Sequence, residues 1–142
     1  MPLSHISLAT GAANFARMRS FYLAALAPLG YVTYFDKADF MLGLKPVGSF
    51  PDFWLHVGNG EQAVFPSGGN VDTRPGRTHV AFDAATPEVV DEWYATAIKA
   101  GGTCNGKPGL RREFSDPYYA AFVLDPLGNN IEAVHYKPSK PW

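Results

Sequence analysis

The order of strand-like and helix-like segments repeats once along this chain of 142 residues, and few folds accommodate such a duplication. Residues 3–8 alternate as a half-buried strand does, with Ile6 and Leu8 on one face and Leu3, His5 and Ser7 on the other. A helix follows. Asn14 is a candidate N-cap, and Phe15, Met18, Phe21, Tyr22 and Ala25 recur at helical spacing up to Pro28-Leu29-Gly30. Strand-like runs at 31–35 and 40–44, a loop over 46–52 and a further strand at 53–57 complete the first pass. Residues 66–76, rich in glycine and proline, have the composition of a linker.

Beyond that linker the same order returns. Residues 78–82 form a strand with Val80 and Phe82 opposite His79. Thr86-Pro87-Glu88 combines an N-cap, a proline for the first helical position and an acid for the first turn. Val90, Trp93, Tyr94, Ala97 and Ile98 make the apolar stripe, and Gly101-Gly102 ends the helix. Residues 118–124 are a strand, 125–129 (Asp-Pro-Leu-Gly-Asn) a turn, and 131–136 the closing strand. Spacing agrees with order: His79 lies 74 positions after His5, Gly102 lies 72 after Gly30, and Glu132 lies 76 after His56. The expected fold is α+β, with module one over residues 1–65 and module two over residues 77–137. Each module is a βαβββ unit. Two curved mixed sheets would then enclose a cleft, with the helices outside, because one face of each sheet must meet a helix.

Strand parity next picks out the polar residues turned away from the helices. His5 lies opposite Ile6 and Leu8, His56 opposite Leu55 and Val57, His79 opposite Val80 and Phe82, and Glu132 opposite Ile131 and Ala133. His135 has the other parity and is left out. Imidazole nitrogens with a carboxylate suit a divalent first-row ion such as Zn, Ni, Co, Mn or Fe, so His5, His79, Glu132 and His56 are the expected metal ligands. Any one of these histidines alone would be an ordinary strand residue; the joint pattern in a duplicated frame makes a site.

Bulk composition narrows the function classes. A content of 46% hydrophobic and 14% aromatic residues is too apolar for disorder. Twelve basic against thirteen acidic residues argue against nucleic acid as a partner, since phosphate binding relies on excess Lys and Arg. No run of about 18 apolar residues marks a membrane span. The lone Cys104, expected to be a small buried or half-buried residue, excludes an intrachain disulfide. With no secretory signal at the start, the expected location is the cytoplasm.

Two stretches resemble a known family. Ser4-His5-Ile6-Ser7-Leu8 ahead of a helix ending Leu26-Ala27-Pro28-Leu29-Gly30-Tyr31 is similar to the start of vicinal-oxygen-chelate proteins. These form the superfamily of glyoxalases, bleomycin-resistance proteins and extradiol dioxygenases. Residues 118–132 resemble the family's closing hairpin, where an Asp-Pro-x-Gly turn precedes the ligand glutamate. The resemblance implies a bound divalent cation, a small-molecule substrate held through neighbouring oxygens, and a homodimer. By position, His5, His79 and Glu132 match its ligands, while His56 stands where glyoxalase I-like members often carry a glutamate. It further implies a glyoxalase-like lyase or isomerase with Glu132 as the proton-transferring carboxylate. The alternatives are an Fe(II) extradiol-type dioxygenase and a metal-free drug-binding protein. Trp54, sharing a strand face with His56, is a substrate-binding candidate, as is Arg112 on a loop bounded by Pro and Gly. Of Tyr118 and Tyr119 only one can face the cleft; parity alone leaves either, and Tyr119 is counted with Trp54 and Arg112.

Overall fold

A computed structural model describes residues 3–58, 78–114 and 117–137. The expected linker at 66–76 lies outside them. In the first module, β1 (Ile6–Thr10) leads into helix α1 (Ala12–Ala25), a 3-10 turn (Ala27–Leu29), and strands β2 (Tyr31–Lys37), β3 (Met41–Pro46) and β4 (Phe53–Val57). In the second, β5 (His79–Asp83) leads into α2 (Pro87–Lys99), β6 (Thr103–Leu110), β7 (Tyr118–Leu124) and β8 (Asn130–Tyr136). The two sheets have the same strand order, β1-β4-β3-β2 and β5-β8-β7-β6. In each, the first and last strands pair in parallel and the rest antiparallel. This α+β architecture of two βαβββ modules agrees with the duplicated pattern.

The two helices start for different reasons. The Thr86 hydroxyl accepts from the Val89 N–H, Pro87 occupies the first turn, and Glu88 and Lys99 complement the helix dipole at either end of α2. Helix α1 has no side-chain cap: it begins after extended Gly11, ahead of the expected Asn14, whose side chain instead accepts from Arg17. Burial of Phe15, Met18, Phe21, Tyr22 and Ala25 holds it. Strand β6 has poor local signals, since Gly106, Pro108 and Gly109 all disfavour a strand. It forms as an irregular edge on β7, where a missing N–H costs least.

The modules share one core. Tyr22 of α1 packs on Phe53 with ring centroids 4.6 Å apart, and Phe53 meets Phe82 of the other module at 5.7 Å. Tyr31 stands edge-on to Phe82 at 5.5 Å. The Tyr22 hydroxyl donates to Asp125 Oδ2 at 2.6 Å, tying α1 to the turn before β8. Asp125 also accepts from the Leu127 and Asn129 N–H groups and from the Asn129 amide, so this buried carboxylate is fully partnered. That turn aims β8. Among the described residues no helix is long and apolar enough to cross a membrane.

Candidate functional site

Helices cover one face of each sheet, so function falls to the other. In module two the register sets His79 opposite Asn130 and Ala81 opposite Glu132, placing His79 and Glu132 diagonally on the open face. His79 Nε2 lies 3.0 Å from Glu132 Oε2. The Tyr118 hydroxyl donates to Glu132 Oε1 at 2.7 Å, so both carboxylate oxygens are engaged. Glu132 is only 3% exposed, whereas nearly half of the His79 side chain meets solvent. Burial, and then the hydrogen bond to Glu132, push the Tyr118 hydroxyl above the usual tyrosine range, keeping it a donor. Asn105 donates to Asn130 Oδ1 at 3.1 Å, which turns the Asn130 amide N–H toward His79 Nδ1 at 2.8 Å. In this arrangement Nδ1 accepts; for Nε2 to ligate an ion the two amides must turn over, so that Asn130 Oδ1 accepts from Nδ1–H. Phe122, opposite Glu132 on β7, stacks beside His79 at 6.3 Å.

Module one repeats the geometry with different chemistry. Ser7 pairs with Trp54 and Ala9 with His56, so the register counterpart of His79 is Ser7, one pleat inward of His5. The Ser7 hydroxyl lies 2.6 Å from His56 Nδ1 and stands where the His79–Glu132 contact stands in module two. His5 precedes β1, is exposed, and has its Nδ1 2.9 Å from the Ser4 hydroxyl. Trp54 lies on the open face with Tyr34 and Phe35 at 6.1 and 6.4 Å, its ring covering the space a side chain at Gly43 would fill. A cleft of about 520 Å³ separates the two first strands, lined by Ile6, Ser7 and Leu8 on one side and His79, Val80 and Ala81 on the other.

The structure therefore joins the expected residues in part. It brings His79 and Glu132 together, sets His56 against Ser7, and leaves His5 with Ser4. Among the described residues no group of three or more His, Cys, Asp or Glu side chains could hold an ion. The His79–Glu132 pair does fit one: 3.0 Å is about the separation of two neighbouring ligands each about 2.1 Å from an ion. Two of the four expected donors thus meet. Tyr119 is on the helix side, where its hydroxyl donates to Asp91 at 2.7 Å; the tyrosine of the open face is Tyr118. Arg112 is exposed on a turn, and its neighbour Arg111 lies over Phe122, 5.6 Å from ring centre to guanidinium carbon. Cys104 is exposed rather than buried. Residue-type rules overlooked Asn105, Asn130 and Phe122; stepping by two from Glu132 and across to β7 finds Asn130 and Phe122 once the register is known.

Paired βαβββ modules with this strand order define the vicinal-oxygen-chelate class of fold. The chain has the fold of the glyoxalase, bleomycin-resistance and dioxygenase proteins. It matches a glyoxalase/bleomycin resistance protein from Albidiferax ferrireducens with a TM-score of 0.69 and 26% identity, over 94% of this chain and 98% of that one. A glyoxalase-related enzyme from Fulvimarina pelagi gives 0.70 at 16% identity, over 96% of this chain and 88% of that one. A lactoylglutathione lyase from Agrobacterium tumefaciens gives 0.60 at 17% identity, over 95% of each. The last two are likenesses of fold alone. No family sequence model and no curated protein sequence matches the chain.

Proposed function

We propose that this protein is a divalent-metal-dependent, glyoxalase-like lyase or isomerase acting on a small substrate with neighbouring oxygens. The observation that carries the reading is the His79–Glu132 pair at 3.0 Å, with Glu132 buried and held on both oxygens. Such a pair, joined by His56 and His5, would hold a Zn, Ni, Co, Mn or Fe ion; the ion would supply Lewis acidity toward the substrate oxygens. The chain's own groups do the rest. Glu132 Oε1 and Oε2 are the proton-transferring atoms, and Tyr118 keeps the carboxylate in place from one side. Asn130, locked by Asn105, fixes the His79 ring. Phe122 gives the substrate an apolar wall.

The missing half of the donor set comes from a second copy, making the working unit a homodimer in the cytoplasm. The exposed aromatic residues of module one support this: Tyr34 and Phe35 flank Trp54 on the open face and are 56% and 40% exposed. His79→Ala is the direct test, because the half-exposed ring can be removed without opening the core. Metal content by elemental analysis should fall about tenfold or more while the circular dichroism is unchanged. Full metal content in that variant would falsify the assignment. Zinc, nickel or cobalt in the wild type supports the lyase. Ferrous iron with oxygen-dependent turnover of a catechol replaces it with the dioxygenase. Sedimentation as a monomer overturns the dimer.

A further inference from the structure

We infer that Arg111 anchors a carboxylate of the substrate, so that the molecule turned over carries an anionic group several bonds away from its reacting oxygens. This rests on the reading of the open face of module two as the substrate site. Arg111 follows β6, yet its side chain folds back along that strand over the ring of Phe122. The same ring stacks beside His79, so the guanidinium stands one aromatic side chain away from the His79–Glu132 pair, on the same face.

The strand is shaped to let it lie there. A Cβ at Gly106 would come within 2.9 Å of Phe122 Cδ2 and 3.4 Å of Arg111 Nη2, and one at Gly109 within 3.2 Å of Arg111 Nη1. A side chain at Gly106 would press on the Phe122 ring that carries the guanidinium, and one at Gly109 on the guanidinium itself. Its fixed partner is neutral: Nη2 donates to the Lys107 carbonyl at 2.5 Å. Among the described residues the ion pairs are Arg19–Asp36 and His79–Glu132, and neither involves Arg111. A planar cation held on an aromatic face, oriented by one carbonyl and paired with no described carboxylate, presents its remaining N–H groups to a ligand. A planar carboxylate matches that fork with two parallel hydrogen bonds.

The test compares two 2-oxo acids that differ by one carboxylate. Binding of 2-oxoglutarate and of 2-oxopentanoate to the purified protein, with its metal content recorded, is measured by titration calorimetry. Wild type should bind 2-oxoglutarate about tenfold or more tightly than 2-oxopentanoate. Arg111→Met should remove that preference while leaving 2-oxopentanoate binding unchanged; Arg111→Lys, which keeps charge but not the fork, should retain part of it. Glu132→Gln should weaken both acids alike. A preference undiminished in Arg111→Met overturns the proposal alone, and the cleft stands if Glu132→Gln still weakens both acids. Failure of both acids to bind the wild type overturns the proposal together with the reading of the site.

Discussion

Replacing Tyr22 by Phe removes a single oxygen from the contact that joins the two modules. That hydroxyl donates to Asp125 Oδ2 at 2.6 Å; Tyr22 is fully buried and Asp125 is 4% exposed, so water cannot replace the bond. A hydrogen bond to a carboxylate contributes about 1.5–3 kcal/mol. Asp125 keeps its bonds from Leu127, Asn129 and the Asn129 amide, so no charge is orphaned and the cost falls near the middle, about 2 kcal/mol. The phenyl ring retains its packing on Phe21 and Phe53, at 5.1 and 4.6 Å, and adds no cavity. Urea unfolding followed by circular dichroism at neutral pH should show that loss at constant m, with Tm lower by about 6 °C. Asp125→Ala strands the Tyr22 hydroxyl and three further donors and should cost about twice as much. A Tyr22→Phe loss below about 0.5 kcal/mol would mean that the bond does not couple the modules, and the argument fails.

Two further outcomes follow from burial and close packing. Tyr22, Tyr31 and Tyr118 all hold their protons above the ordinary tyrosine value of 10.0, first through burial and then through neighbouring carboxylates. Above pH 10 the folded chain therefore binds more protons than the unfolded one, so stability present at lower pH is lost as pH rises further. Phenolate absorbance should rise in two stages, the second coinciding with unfolding; a single stage centred on 10 in the folded protein refutes this. Gly102, just after α2, has Val123 Cγ1 and the Ala97 carbonyl where a Cβ would sit, so Gly102→Ala should cost about 3 kcal/mol in chemical denaturation. An unchanged midpoint would contradict the packing.

Much of this was legible in the residues because the signals are local. Thr86-Pro87-Glu88 announces a helix start by side-chain chemistry alone, and the structure finds the Thr86 cap in place. Helix α1 carries no such signal, and its start is displaced from Asn14 to Gly11 because burial of Phe15 and its neighbours decides it. Strand β6 was invisible in composition: Gly106, Pro108 and Gly109 disfavour a strand, and they form one because β7 offers them a partner. The tyrosine pair shows the same limit. Alternation says that one of Tyr118 and Tyr119 faces the open side; only the pairing of Phe122 with Glu132 selects Tyr118.

By itself the sequence determined a duplicated βαβββ chain and the strand faces on which His56, His79 and Glu132 lie, because alternation along a strand is fixed by the backbone within a few residues. Tertiary structure decided which of those residues meet. Register is a pairing between strands far apart in the chain, set by the core and by the turns between strands, and a shift of two residues preserves every face while changing every neighbour. That is why Ser7 rather than His5 meets His56.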